Sequence, residues 1–258
     1  MADGSMTGVG SLKGKVSEAE WKARVDLAAL YRLVALHGWD DMIFTHISAR
    51  IPGPEHHFLI NPYGMFFDEI TASSLVKIDL DGKVLQETPY FINPAGFTIH
   101  SAIHAAREDA MFVMHLHSDQ GVAVSAQKEG LLPLSQHALI VLPQIAYHDY
   151  EGIALNLDER ERLVADIGDK TLMLLRNHGT LAVGDTAAAC WLGMFYLERA
   201  CLQQTMALSA GRENVLFAPE AAQAEVMGQM GRGMGAIGNL AWPGCLRQLD
   251  RNAPGYDA

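Results

Sequence analysis

The 258-residue sequence predicts an α/β layered domain with a largely antiparallel sheet, and three observations carry that prediction. Short apolar runs bounded by turn residues read as strands that return on themselves, at Pro52-Gly53-Pro54-Glu55 and at Asp81-Gly82. Longer stretches between them repeat apolar residues at helical spacing behind recognisable caps. Hairpins mixed with helices for both sheet faces imply packed layers.

Taken in order, Met1 to Lys15 is rich in Gly and Ser and has no apolar core of a secretory signal, so residues 1–15 read as a flexible N-terminal arm. Ser17-Glu18-Ala19-Glu20 has the form of a capping box and opens a helix to about His37, with Val25, Ala28, Leu33 and Leu36 toward a core and a stop near Gly38. Ile43–Ile51 and His57–Asn61 are two strands. Leu75–Leu80 and Lys83–Leu85 form the strongest hairpin signal. Asn93-Pro94 caps a helix to about Arg107, in which Phe97, Ile99, Ile103 and Ala106 keep the apolar spacing. Met111–His117 is a short buried strand followed by a helix from Ser118 to about Lys128. Thr171–Arg176 and Thr180–Val183 are strands around Asn177-His178-Gly179, and Thr186 opens a long helix to about Ser209. From Gly211 onward the chain reads as one or two lighter helices on the outside.

Composition removes whole classes of function. Lys+Arg number 19 and Asp+Glu 30, a formal charge of −11 that repels nucleic-acid phosphates and anionic lipid. The longest apolar runs, such as Gly130 to Ile145, are broken, here by Pro133, Gln136, His137 and Pro143, and cannot make the span a bilayer needs. Neither a nucleic acid nor a membrane is therefore expected as a partner. Cys190, Cys201 and Cys245 are odd in number and show no CxxC pair, which fits reduced thiols in a cytoplasm.

Histidine is the unusual count, at eleven. His115 and His117 end a strand two residues apart and therefore share a face, where one ion fits between them. His178 ends another apolar strand, with Gly179 letting the chain turn without a Cβ clash. Three imidazoles with an open position describe a catalytic site for a divalent ion. His100 and His104, four apart on one helix, form a competing pair; they lack the Glu of HExxH and sit among Ile99, Ala102 and Ile103, which favours packing. His56 and His57 border a Pro-rich turn and read as solvated, and His37 reads as a helix C-terminal dipole partner. His46, His137 and Tyr147 are the candidates for proton transfer or substrate donation.

Six ordered pieces carry a resemblance: Thr45-His46-Ile47-Ser48, Leu59-Ile60-Asn61-Pro62-Tyr63-Gly64, Asn93-Pro94-Ala95-Gly96-Phe97 with His100, His115-Leu116-His117, Tyr150-Glu151-Gly152, and Leu175-Arg176-Asn177-His178-Gly179. On these the chain resembles the class II aldolase/adducin family, adducin-like bacterial branch. The resemblance implies a three-layer αβα domain over 16–211 with a central mostly antiparallel sheet, and a C-terminal helical extension over 212–258. It further implies a homotetramer with sites at subunit interfaces, and one divalent metal ion per subunit held by His115, His117 and His178, zinc first and manganese or iron as alternatives. The sequence departs from the sugar-phosphate aldolases of that family at two places. Their Ser-Ser-Glu, with its acid/base carboxylate, is Pro94-Ala95-Gly96 here, and their phosphate loop is replaced by Ile43 to His46. The expected function is a metal-dependent lyase cleaving or decarboxylating a non-phosphorylated hydroxy-carbonyl or hydroxy-acid through a metal-stabilised enediolate. The alternatives are an Fe(II)-dependent oxygenase or decarboxylase of an aromatic substrate on the same three histidines, and a non-enzymatic adducin-like oligomerisation domain.

Overall fold

In the computed structural model of the chain, residues 10–152, 158–230 and 234–258 are described, and of 94–97, 227, 230 and 234 only the backbone. Residues 1–9 of the predicted arm lie outside the described residues. Among the described residues, seven strands form one mixed sheet: β1 (His46–Arg50), β2 (Phe58–Ile60), β3 (Val76–Ile78), β4 (Phe112–Leu116), β5 (Ile145–His148), β6 (Leu172–Leu175) and β7 (Gly179–Gly184), in the spatial order β3-β2-β1-β4-β7-β6-β5. Every neighbouring pair is antiparallel except β5 with β6. The helices are α1 (Glu18–Leu36), α2 (Pro94–Ala106), α3 (Asp119–Ser125), α4 (Gln136–Val141), α5 (Glu159–Ile167), α6 (Ala187–Leu208), α7 (Glu220–Met230) and α8 (Met234–Asn252).

Strand alternation sorts the core into two layers. Phe112, Met114 and Leu116 of β4 and Leu172 and Leu174 of β6 face one side, where they pack with Leu27, Leu30 and Tyr31 of α1 and Met194 and Leu197 of α6. Val113, Met173, Leu175, Leu181 and Val183 face the other, against Ile99 and Ile103 of α2 and Leu163 and Ile167 of α5. Period-two side chains on a sheet covered on both faces give the three-layer αβα arrangement.

Tyr31, fully buried, ties α1 to the sheet. Its hydroxyl accepts from the backbone N–H of Ile47 (2.8 Å) and of Asn61 (3.2 Å), and it also contacts the Ile47 carbonyl. Two backbone amides are thereby given a partner, and the entry to β1 is tied to α1. The chain's C-terminus is pinned in turn, with Ala72 and Ser73 N–H donating to the carbonyls of Tyr256 and Ala258.

Several expectations are corrected in detail. Ser17 caps α1, but Glu20 does not close the box; its carboxylate pairs with Arg24 (2.9 Å) and Lys77 (2.9 Å). Ala28 and Leu33 are buried as expected, but Leu36 is exposed, and the buried face of α1 also includes Leu27, Leu30, Tyr31 and Val34. Lys83–Leu85 makes only a single bridge to Ile78. The sequence reading missed α4, β5 and α5. Four-residue β5 is too short to show a period, and the charge-rich α5 presents only Leu163 and Ile167 as deeply buried apolar residues. No helix among the described residues is long and apolar enough to cross a membrane, and the three cysteines are free thiols.

Candidate metal centre

β1, β4 and β7 lie side by side at the middle of the sheet, and their register builds the site. His46 on β1 is opposite His115 on β4, and His115 is opposite Leu181 on β7, so β7 begins beside the end of β4. His117 follows directly. Between Leu175 and Gly179 the chain makes a tight turn, with the His178 N–H donating to the Leu175 carbonyl (3.1 Å) and Asn177 in the left-handed region at φ 55°. Asn tolerates that conformation better than most residues. Gly179 is required for a different reason: a Cβ there would lie 2.2 Å from the Leu116 carbonyl oxygen. Glycine lets β7 approach β4 closely enough to bring His178 to the other two histidines.

The potential ligand atoms of His115, His117 and His178 all lie within 4.8 Å of one another. Their ring centroids are 4.7–4.8 Å apart. Hydrogen bonds determine the tautomers of two of them. His115 Nδ1 faces the Thr180 carbonyl oxygen at 3.0 Å, and His117 Nδ1 faces Asp41 Oδ2 at 3.0 Å. A carbonyl and a carboxylate only accept, so both Nδ1 atoms carry a proton, and in the neutral rings both Nε2 atoms present lone pairs. Those two Nε2 atoms are 3.0 Å apart. Two lone pairs at that distance repel unless positive charge lies between or beside them.

Burial, with lesser contributions from His178, His117 and His46, holds the His115 pKa well below its usual value. Burial first, then His117 and His148, brings His178 down to about 4. His115 and His178 are therefore neutral near pH 7, the state in which imidazole binds a cation. Beneath them, buried Glu198 accepts from Thr180 Oγ1 (2.7 Å) and contacts Ser118 Oγ, tying together the residues that follow His117 and Gly179. Burial raises its pKa.

The rings of the three histidines border a cavity of about 290 Å³ whose other walls are Phe44, Thr45, His46, Asn93, Ile99, Tyr150 and Gly152. No described residue of that wall is Asp, Glu, Lys or Arg. The loop carrying Asp41, Phe44 and Thr45 is tight: Phe44 N–H donates to the Asp41 carbonyl (2.8 Å), and Met42 and Thr45 are left-handed at φ 52° and 62°. For β-branched Thr45 that conformation is strained. Its buried hydroxyl has no partner among the described residues.

Of the residues read from the sequence, the structure brings His46, His115, His117 and His178 together. It places His137 and Tyr147 outside this chain's cavity. His137 contacts Gln203 Nε2 (3.2 Å) and packs on Tyr196 of α6. The Tyr147 hydroxyl accepts from Leu131 N–H (3.1 Å), and its ring lies under the Arg176 guanidinium. In the dense Tyr147-His148-Asp149-Tyr150 run it is Tyr150 that reaches the cavity, with its ring 6.3 Å from that of His178. His148 is buried between Asp166 (2.7 Å) and Glu159 (3.3 Å). His37 is packed with Trp39, Trp191 and Phe195, and burial followed by Arg199 lowers its pKa, so it is an aromatic core partner and not a charged helix-end group. Asp41, Thr180 and Ser48 were not singled out by sequence reasoning. No local spacing marks Asp41, which meets His117 from 76 positions away.

Residues 25–205 match the Class II Aldolase and Adducin N-terminal domain, and the chain belongs to that family. It is a class II aldolase-like protein with the class II aldolase fold. A Caulobacter vibrioides protein named for the class 2 aldolases is 81% identical over 256 residues, 99% of both chains. Rat alpha-adducin is 42% identical over 84% of this chain, which spans 31% of that longer protein. The solved structure of an aldolase II superfamily protein from Pseudomonas syringae superposes with a TM-score of 0.91 at 52% identity, covering 96% of this chain and 100% of the other. An L-fuculose 1-phosphate aldolase from Glaciozyma antarctica superposes at 0.79 with 26% identity over 92% of each chain.

Proposed function

We propose that this protein is a metal-dependent lyase acting on a non-phosphorylated hydroxy-carbonyl or hydroxy-acid substrate, with one divalent ion, zinc first, held by His115, His117 and His178. The observation that carries the reading is the pair of Nε2 lone pairs 3.0 Å apart, each forced by an oxygen acceptor on its Nδ1. A divalent cation satisfies both atoms, and the Asp41–His117 contact is the carboxylate–histidine pairing that orients metal ligands. When bound there, such an ion supplies Lewis-acid stabilisation of negative charge developing on a substrate oxygen.

The chain's own residues do the rest. Phe44, Ile99 and Tyr150 give the cavity apolar walls that suit a flat or carbon-rich substituent. The absence of Lys and Arg from its described walls disfavours a phosphate, which needs oriented cationic or N–H donors. Gly96 in the first turn of α2 has no side chain to act as an acid or base, which leaves His46 and the Tyr150 hydroxyl as the proton-transfer groups that line the cavity beside the histidine centre in the same chain. In a homotetramer, His137 and Tyr147 would act across a subunit boundary. Such an assembly in the cytoplasm is part of the proposal.

Elemental analysis of the full chain, purified without chelator or tag-bound metal, tests the reading together with an assay against sugar phosphates and phenyl-substituted hydroxy-acids. Stoichiometric zinc or manganese with turnover of a hydroxy-acid supports the lyase. Iron favours the oxygenase, absence of metal favours the adducin-like assembly role, and efficient sugar-phosphate cleavage overturns the substrate class.

A further inference from the structure

Behind the cavity, on the α2 face of the sheet, lies a second run of histidines that the proposed metal centre does not use. His104 Nδ1 is 2.8 Å from the Ala110 carbonyl oxygen, and its Nε2 is 2.6 Å from Ser48 Oγ. The same Oγ is 2.6 Å from His100 Nδ1, and His100 Nε2 is 3.1 Å from His46 Nδ1. All four side chains are buried, His46 being the most accessible of them at 4%.

The proton positions follow from one end. The Ala110 carbonyl can only accept, so His104 carries its proton on Nδ1 and offers a lone pair at Nε2. Ser48 has one proton and gives it to that lone pair, so its oxygen must accept from His100 Nδ1. His100 Nε2 is then bare and accepts from His46 Nδ1–H. None of the three rings has a carboxylate partner among the described residues that would hold a second proton, and burial keeps imidazoles neutral. In agreement, burial is the leading cause that brings the His104 pKa to about 4, and it holds His100 well below its usual value. The chain ends with Nε2 of His46, which has no protein partner among the described residues, on a residue that lines the cavity beside His115.

We infer that this buried relay is a positioning device that locks His46 Nε2 as a hydrogen-bond acceptor in the cavity wall, and so selects a substrate carrying a hydroxyl donor next to the group held at the three-histidine centre. His46 is the ligand-facing residue; Ser48, His100 and His104 act through it. The unpaired, buried hydroxyl of Thr45, on the preceding residue, is a second polar atom of the same wall that folding alone leaves unsatisfied. A polar wall with a bare acceptor favours an alcohol, which donates, and disfavours an anion or an ether, which cannot. The substrate half of this inference rests on the proposed lyase function. The tautomer half does not.

Neutron diffraction from deuterium-exchanged crystals of the zinc-loaded full chain near pH 8 reads the tautomers directly. Deuterons are expected on Nδ1 of His46, His100 and His104 and none on their Nε2 atoms; a deuteron on His46 Nε2 overturns the inference. Solid-state 15N spectra of histidine-labelled protein then test the relay. Ser48→Ala should give mixed tautomers at His46 and Ser48→Thr should restore one, whereas a single unchanged tautomer in Ser48→Ala shows that the relay does not impose it. For selection, calorimetry on the zinc-loaded protein compares mandelate with its 2-fluoro analogue, which lacks the donor. At least about tenfold tighter binding of mandelate is expected. Equal affinity, or no binding of either, overturns the substrate half. A protein that binds no metal defeats the lyase reading while leaving the tautomer result standing.

Discussion

Two sets of three histidines lie within one side of the sheet, and their hydrogen-bonding differs in kind. In the relay, every polar contact alternates donor with acceptor: Ala110 carbonyl, His104, Ser48, His100, His46. That set is closed at its buried end and needs no ion. In the set at the end of β4, two rings spend their donors on Thr180 and Asp41 and turn bare nitrogens toward each other. That set is incomplete without positive charge. The comparison also bears on the competing pair read on α2: His100 and His104 share a helix face, and both converge on Ser48, an arrangement that fits packing better than a metal pair. Histidine spacing proposes ligands, and the partner of the second ring nitrogen shows which histidines are available to bind.

The sharpest way to break the contrast is a pair of substitutions. His117→Ala, at a partly exposed ring, should lower bound metal by at least tenfold with a stability change within about 1 kcal/mol. His104→Ala should retain the metal but cost about 3–5 kcal/mol, because it opens a cavity and leaves Ser48 and the Ala110 carbonyl unsatisfied. Elemental analysis and urea titration read the two together, and the opposite pattern would exchange the roles of the sets.

Gly179→Ala comes next. Its Cβ would meet the Leu116 carbonyl oxygen at 2.2 Å, a backbone atom that cannot swing away. A loss of about 2–4 kcal/mol with impaired metal retention is expected from the overpacking; metal content at the wild-type level would show that His178 is not positioned by this close approach.

Acid acts on both sets, since burial also holds His115 and His178 below their usual values, and a substitution within the relay isolates its share. In the metal-free protein the relay rings are neutral when folded, with His104 near 4 and His46 near 3, against about 6.5 when unfolded. The unfolded chain therefore binds more protons between those values, so this contribution is fully present above about pH 6.5 and is lost as pH falls toward 4. For His104 alone the loss is roughly 3 kcal/mol. A urea midpoint series over pH 7 to 4 should show it, with a shallower slope in His104→Gln; identical slopes would mean that His104 is charged in the fold.

Asp41→Ala should weaken metal binding by about 10–100-fold while leaving the relay tautomers unchanged, as competition with a chelator would report. The smallest effect is expected at Thr45→Gly. Relief of the left-handed strain at φ 62° and the entropy cost of glycine nearly cancel, for a net change of about 1 kcal/mol or less by thermal unfolding.

Much of the fold was legible because its signals are local. Ser17 and Thr186 cap the helices they were expected to open, Asp81-Gly82 turns, and the two apolar runs ending at His117 and Arg176 are strands. The two-residue alternation of β structure also placed His115 and His117 on one face, and with the turn at His178 it defined the candidate ligands. The sequence could not show what lies at long range. Asp41 reaches His117 across 76 positions, Thr180 reaches His115 across 65, and Ser48 meets His100 and His104 across 52 and 56. Nor could it show that Tyr150 and not Tyr147 faces the cavity, since that depends on where four-residue β5 ends beside β6. Periodicity and caps act within a few residues of one another and so are written in the chain. Tautomers and cavity walls depend on which strands become neighbours, and only the tertiary structure decided that.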